Sequence, residues 1–183
     1  KTDVRKGWFL DDNGQSQNLS AEQAAYASQY GMQPYTQVKF APYNNELETR
    51  TNASDIPLMR IEEILLIAAE AQARLGRLEE SRNALNTFVT TYNCAATSQE
   101  KILDAIWMQR RIELWGEGHS YFDLIRLNKG IDRRGAGFQP DYVFNIPAAD
   151  ASLIYLIPDI EMNKNANLVN NPQATQPAPV EDK

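Results

Sequence analysis

Cysteine occurs once in this chain, histidine once, and no apolar run is long. Each scarcity removes a class of protein. A single cysteine, Cys94, cannot form an internal disulfide, so the chain is not a disulfide-stapled small domain. Its thiol reads as a small, partly buried residue in a connection between helices. The single histidine, His119, has no Cys or His companions at ligand spacing, so no zinc-type cluster is written in the sequence. A Cys–His nucleophilic pair is equally unsupported, because no local signature surrounds Cys94. The longest apolar run, Ile64 to Ala69, is far short of the roughly 20 residues that cross a bilayer. Positive charge is also in short supply. Lys and Arg number 18 against 24 Asp and Glu, a net charge of −6, which argues against a nucleic-acid-binding face. No glycine-rich phosphate cradle is present. Asp11-Asp12-Asn13-Gly14 hints at a calcium loop, but placing Gly14 on the loop glycine puts Phe9 first and Ser20 last, neither a fitting ligand. No basic stretch followed by an apolar one opens the chain at Lys1. The expectation is that the protein's own N-terminus, with any targeting signal, lies upstream.

What is present is enough for one domain. The chain has 183 residues, 43% of them hydrophobic. Residues 1–53 are polar with scattered aromatics and form a loop-rich lead-in. Within them Ser20 caps a short helix from Ala21 to Tyr30 that Gly31 stops, and Tyr35 to Phe40 reads as a short strand. Residues 54–129 form a helical core. Its first helix begins near Ser54–Asp55, with Pro57 in the first turn. Ile61, Ile64, Leu65, Ala68, Ala71 and Leu75 recur at steps of three and four and mark its apolar face. Gly76 closes it. A second helix runs from Leu78 to Tyr92, with Leu85, Phe88, Val89 and Tyr92 inward. The connection is so short that the two form an αα-hairpin. Thr97 and Glu100 make a capping box for a third helix reaching Trp115, apolar through Ile102, Ile106 and Ile112. Gly116 and Gly118 break it, and His119 to Asn128 forms a fourth. The fold class is therefore all-α, tetratricopeptide-like, with loop-rich ends. One hairpin is too few for a solenoid, so it is expected to pack on further helices upstream or on residues 1–53. Residues 130–172 are a loop-rich closing segment, with extended pieces at Phe144–Pro147 and Tyr155–Pro158. Residues 173–183 have the composition of a disordered tail.

Three blocks now stand in a telling order. Arg60-Ile-Glu-Glu63-Ile-Leu-Leu-Ile-Ala-Ala69-Glu70-Ala71 comes first. Arg110-Arg-Ile-Glu113-Leu114-Trp-Gly-Glu117-Gly118-His119-Ser-Tyr-Phe122-Asp123-Leu124-Ile-Arg126 follows. The chain closes on Ile157-Pro158-Asp-Ile-Glu161-Met-Asn163 and Asn165-Ala-Asn-Leu168-Val-Asn170-Asn171-Pro172. Together they resemble the C-terminal portion of the SusD/RagB family over Ser54 to Pro172. Asp3-Val-Arg5-Lys-Gly-Trp8-Phe9 and Lys39-Phe40 match more loosely. Departures are Leu65 for a frequent Tyr, Gln109 for Glu, Ser120 for Arg and Asn170 for Gln. The resemblance implies that 1–183 is a single C-terminal domain of a longer, lipid-anchored protein of the outer-membrane surface. It implies non-catalytic binding of nutrients, glycans foremost, and delivery to a SusC-like TonB-dependent transporter. No cofactor is implied, and much of the ligand site is expected upstream. The alternative is a helical-repeat adaptor that binds proteins and no small ligand.

The charged residues admit two readings. Glu113 and Glu117 share a helix face at i and i+4, a spacing that general acid/base chemistry on a glycoside would need. Arg110, Arg111 and Arg126 lie close by, and a buried carboxylate is costly without a cation. The favoured reading is a structural ion network of Arg60, Glu63, Glu70, Arg110, Glu113, Glu117, Asp123 and Arg126, with Arg110 or Arg126 as the partner of Glu113 or Glu117. Sugar binding needs aromatic faces beside polar groups. Trp8 and Tyr43 are the candidates, although both also suit a role in covering the helices.

Overall fold

A computed structural model describes residues 3–40, 56–89 and 91–183. The fold is mainly helical, with stacked helices and a two-stranded sheet among the described residues. The chain divides into two compact units, Lys1–Glu117 and Gly118–Lys183.

In the first unit a 3-10 turn, Val4–Trp8, is capped by Asp3, whose carboxylate accepts the Arg5 N–H. Helix α1, Ala21–Gln29, starts with a reciprocal capping box between Ser20 and Gln23. Gly31, in the left-handed region at φ 58°, lies just beyond its end. The expected strand at Tyr35–Phe40 shrinks to a bridge between Phe9 and Gln37, flanked by Val38 N–H to Trp8 O at 2.7 Å. Tyr35 itself sits at φ 66°, outside the extended region.

Three helices make the core of this unit: α2, Ile61–Arg74; α3, Leu78–Phe88; and α4, Gln99–Glu113. The three residues between α2 and α3 fold the second helix back on the first. Leu66, Ala69 and Ala73 of α2, Leu85 of α3, Val89, Cys94, and Ile102 and Ile106 of α4 form one buried cluster. Two backbone carbonyls of α2 are satisfied across the interfaces. Ser81 donates to Ala69 O at 2.7 Å and Gln99 to Ala73 O at 2.7 Å. Small residues at 69, 73 and 81 let the backbones come this close.

Four expectations about these helices need correction. Helix α2 begins at Ile61, not near residue 54, and Pro57 precedes it. Arg60 holds extended dihedrals (φ −125°, ψ 154°) as N-cap, because its side chain is committed elsewhere, as described below. Residues 54 and 55 lie outside the described residues. Helix α3 stops at Phe88 rather than Tyr92, where a run of β-branched Val and Thr begins. There the Asn86 amide takes over the backbone of Cys94, accepting from its N–H and donating to its carbonyl. The cap of α4 is Ser98, whose hydroxyl accepts the Lys101 N–H, not Thr97. The two adjacent hydroxyl residues are indistinguishable by pattern alone. Most consequential, the buried stripe of α2 is Leu66, Ala69, Glu70 and Ala73, while Ile61, Ile64, Leu65, Ala68, Ala71 and Leu75 are exposed. Helix α2 is apolar on both sides, and periodicity selected the wrong one. Ile112 and Tyr92 are likewise exposed rather than inward.

In the second unit, α5, His119–Arg126, starts from Gly118 in the left-handed region at φ 85°. Strands β1, Ile131–Asp132, and β2, Asn145–Ile146, pair antiparallel, Ile131 with Ile146 and Asp132 with Asn145. The last helix is α6, Asp159–Lys164. The segment Tyr155–Pro158 forms no strand. Instead Asn170 grips Ile157 with both ends of its amide, accepting from N–H at 2.8 Å and donating to the carbonyl at 3.2 Å. An Asn side chain thus stands in for one residue of a partner strand. The expected disordered tail also docks. Phe144 bridges to Pro179, Val180 donates to Val143 O at 2.8 Å, and Asp182 accepts the Gly135 N–H.

Leu66→Ala should lower stability to urea by about 2–5 kcal/mol, the range for a buried leucine, whereas Leu65→Ala in the same 183-residue chain should cost under about 1 kcal/mol. Equal losses would mean the burial of α2 is misassigned. In hydrogen exchange, the Val180 amide should be protected; exchange at the rate of a free peptide would contradict the docked tail.

Candidate functional site

A dense set of charged groups gathers where α4 ends. Glu113 occupies its last turn, Leu114 caps it, and a turn through Gly116 at φ 79° returns the chain so that Glu117 N–H meets Leu114 O. Glycine is needed twice over at 116: the backbone is left-handed, and a Cβ would stand 2.6 Å from Phe40 Cε2. The turn delivers both carboxylates to one guanidinium, that of Arg60.

Arg60 forks onto Glu117, Nε to Oε2 at 3.0 Å and Nη2 to Oε1 at 2.8 Å. Its Nη2 also reaches Glu113 Oε1 and the Glu113 carbonyl, each at 3.1 Å. Its Nη1 lies 3.0 Å from Glu62. Lys39 approaches with Nζ 2.5 Å from Glu117 Oε1, 2.7 Å from Glu113 O and 2.9 Å from Trp115 O. Two cations therefore cap the carbonyl end of α4, where the helix dipole is negative. The side chains of Lys39 and Glu117 are only 7% and 6% exposed. Arg5, 7% exposed, completes the cluster. It grips Asp3 at 2.7 Å, donates Nη2 to Gln109 Oε1 at 2.8 Å, and holds Nη1 3.8 Å from Glu113 Oε2.

The charges set the protonation states. Burial pushes the Glu117 carboxyl up, but the hydrogen bonds and charges of Arg60 and Lys39 outweigh it and hold the group below the ordinary glutamate range. The hydrogen bond to Glu117 raises Arg60 above its already high value. The Arg5 guanidinium lowers Asp3. A general acid needs a carboxyl pushed upward, as in glycoside hydrolysis. Glu117 is pushed the other way, and both its oxygens are occupied by cations.

The structure brings some of the sequence-selected residues together. Arg60, Glu113 and Glu117 meet. The contacts of Glu113 and Glu117 just described are with Arg60, Lys39 and Arg5, in place of the Arg110 or Arg126 expected. Arg110 is buried on α4, and Glu63 lies in the first turn of α2. Glu70, also buried, bonds Arg74 one helical turn on, at 2.8 Å. Asp123 and Arg126 belong to the second unit and pair with each other at 2.7 Å. Tyr43 lies outside the described residues. Periodicity and spacing overlooked Lys39, Arg5, Asp3 and Gln109 as members of the cluster. The signal for three of them was the loosely matching Asp3-Val-Arg5 and Lys39-Phe40. A long-range pair leaves no spacing to read.

Beside the cluster lies a cleft of about 530 Å³ lined by Trp8, Arg5, Arg60, Glu113, Phe88 and Thr91, among others. Trp8 is half-buried. Lys39 Nζ stands over one of its faces, 4.3 Å from the ring centre. No group of His, Cys, Asp and Glu among the described residues is arranged to hold a metal ion, and no helix among them is long and apolar enough to cross a membrane.

Stacked helices and a salt-bridged helix end beside an open cleft characterise a helical-repeat fold. A family model described as "SusD family" matches residues 5–173. The chain belongs to the SusD family. It is similar to two solved structures from Bacteroides vulgatus. One is a SusD-like carbohydrate binding protein, 29% identical, with a TM-score of 0.56, in which 74% of this chain covers 33% of the other. The second is a SusD superfamily protein, 26% identical, TM-score 0.57, with 72% of this chain covering 30% of the other. The chain thus spans about a third of the length of these relatives. A search of curated proteins gave no match.

Breaking one side of this network should be expensive. Glu117→Ala should cost about 3–5 kcal/mol, as for a buried pair left with uncompensated charge; a loss under about 1 kcal/mol would assign the pair to the exposed class. Because the folded pKa of Glu117 is depressed, its contribution is fully present above the unfolded-state value, about 4.3, and is lost as pH falls through the folded value. Stability should therefore decline as pH falls below about 4, and Glu117→Gln should flatten part of that decline. An unchanged acid profile in Glu117→Gln would remove Glu117 from the titrating groups.

Proposed function

We propose that the chain is the C-terminal portion of a non-catalytic, lipid-anchored protein of the outer-membrane surface that binds nutrients, glycans foremost. The protein hands them to a SusC-like TonB-dependent transporter. The observation that carries this reading is the family match across residues 5–173, supported by a carbohydrate-binding relative of 29% identity. The site chemistry agrees. The paired carboxylates are neutralised by Arg60 and Lys39 and have no free acid to offer, so the cluster serves as a rigid joint rather than as catalytic machinery. All eight expected network residues act in this reading as scaffold.

Trp8 and Tyr43 are the proposed ligand contacts within this chain. Trp8 lines the cleft, where an indole ring is suited to stacking on a sugar. The exposed apolar side of α2 favours a second reading, a helical-repeat adaptor that binds proteins and no small ligand.

A glycan array with the intact parent protein separates the two, and co-purification from outer membranes tests the partner. Binding to one glycan class, together with recovery of a TonB-dependent transporter, is the expected result. No glycan binding and a cytoplasmic location without a transporter would hand the assignment to the adaptor. The 183-residue chain alone should bind glycans weakly or not at all. Tight binding by it would concentrate the site in residues 1–53, with Trp8→Ala and Tyr43→Ala then expected to abolish it.

A further inference from the structure

The loop that follows β1 in the second unit carries two arginines with different surroundings. Arg134 is satisfied locally. Its Nε and Nη2 fork onto the two oxygens of Asp132 at 2.9 and 2.8 Å, and its backbone N–H meets the same carboxylate at 3.0 Å. Arg126, the other arginine of this unit, holds Asp123. Arg133 holds no carboxylate among the described residues. Its guanidinium lies against two rings instead, with Cζ 3.9 Å from the centre of Phe138 and 4.5 Å from that of Phe144. The Nε is buried without a hydrogen-bond partner, while the side chain as a whole is half-buried and both Nη groups stay open.

Two rings against a guanidinium hold the cation in place and remove water from part of it. A charge so held makes a stronger bond to an incoming anion, because less solvent has to be displaced and the fork is already oriented. The carboxylates nearby are engaged elsewhere. Asp132 takes Arg134 and lies 3.4 Å from Lys183 Nζ. Asp182 accepts the Gly135 N–H. That last contact shows the loop already holding an acidic group. The backbone turns through Gly135 at φ 71° and Gly137 at φ 72°, and N–H groups freed by such turns favour anions. Beside the open Nη groups, Phe138 is 44% exposed and presents an apolar ring. A free cation next to an exposed ring is unusual on a chain whose net charge is −6.

We propose that Arg133 and Phe138 form a recognition point for an acidic sugar, in which the two Nη groups fork onto the carboxylate of a uronic acid and the exposed rim of Phe138 meets the C–H side of the same pyranose. The proposal rests on the glycan-binding reading above and names, within it, a ligand class and a site carried by the second unit alone. Both halves of the ligand are needed. A free anion supplies the charge and no ring; a neutral sugar supplies the ring and leaves the guanidinium unmatched. An acidic peptide supplies the carboxylate on a flexible stem, with no rigid apolar face set beside it.

Titration of the intact parent protein, isotope-labelled on arginine alone, tests it. The probe is methyl glucuronoside. Its control, methyl glucoside, differs only in carrying a hydroxymethyl group where the carboxylate stood. The Nε–H signal of Arg133, identified by its loss in Arg133→Lys or Arg133→Gln, should move with the glucuronoside at a Kd of about 1–10 mM, as suits one charge-assisted fork. The glucoside should bind at this signal at least about tenfold more weakly. Acetate, sulfate and a glutamate-containing peptide should each be at least about fivefold weaker, for want of the ring. Arg133→Lys keeps the charge without the fork and should weaken the glucuronoside at least about fivefold. Phe138→Leu should weaken it about threefold or more; it leaves every polar group of the loop in place and keeps the test decisive where the arginine variants do not fold. A still Arg133 signal up to about 50 mM glucuronoside, or equal affinity for the glucoside, would overturn the proposal. Acetate or sulfate binding as tightly would make the site one for an adventitious ion only, and the peptide binding as tightly would make it a protein contact; either result also overturns it. A parent that binds glycans on the array but shows no response at Arg133 loses this proposal alone, whereas a parent that binds no glycan at all loses the reading beneath it.

Discussion

The grip of Arg60 and Lys39 on Glu117 ties the start of α2 and the segment before residue 40 to the end of α4. The fork from Arg60 fixes where α2 begins, because a side chain stretched toward α4 holds the backbone of residue 60 extended. The ammonium of Lys39 anchors the segment before residue 40 to the same point. Arg5 brings the first turn of the chain onto Gln109 and Glu113. Three segments remote in sequence thus converge on the last turn of one helix, and each supplies a cation to carbonyls and carboxylates that would be costly to bury alone.

The arrangement also explains why the residues look catalytic and act otherwise. Carboxylates four apart in sequence, buried beside a cleft, have the pattern of an acid/base pair, although Glu117 lies in the turn beyond α4 rather than on the helix with Glu113. What decides their role is the balance of neighbours. Arg5, Lys39 and Arg60 face Asp3, Glu62, Glu113 and Glu117, so every carboxylate has a cation within reach. Gln109 fits this balance. It accepts from Arg5 as a neutral amide, where a glutamate would add a further negative charge to a cluster already rich in them. Asn170 shows the same economy in the second unit: it keeps both the donor and the acceptor needed to clip Ile157.

The sequence by itself determined that the core placed over 54–129 is mainly helical, that a hairpin is closed at Gly76, and that Ser20 and Gly31 bound the short helix α1. These are local properties, written in periodicity, caps and glycines that need no distant partner. The motif blocks also carried the family. Glu113 and Glu117 were legible as network candidates, since their helix and their glycine turn are contiguous.

Only the tertiary structure decided which side of α2 is core, which cations hold Glu117, and that the tail lies docked. A helix apolar on two faces has no preferred side in a one-dimensional pattern; the choice falls to Leu85, Ile102 and Ile106, which bury Leu66 rather than Leu65. Lys39 and Arg60 are 78 and 57 residues from Glu117 along the chain, so no spacing rule can pair them. The tail's polar composition says nothing of the free N–H and C=O groups around Val143 and Gly135 that it satisfies. Each of these is a contact between residues far apart in the chain, and such a contact becomes visible only when folding brings both partners to one place.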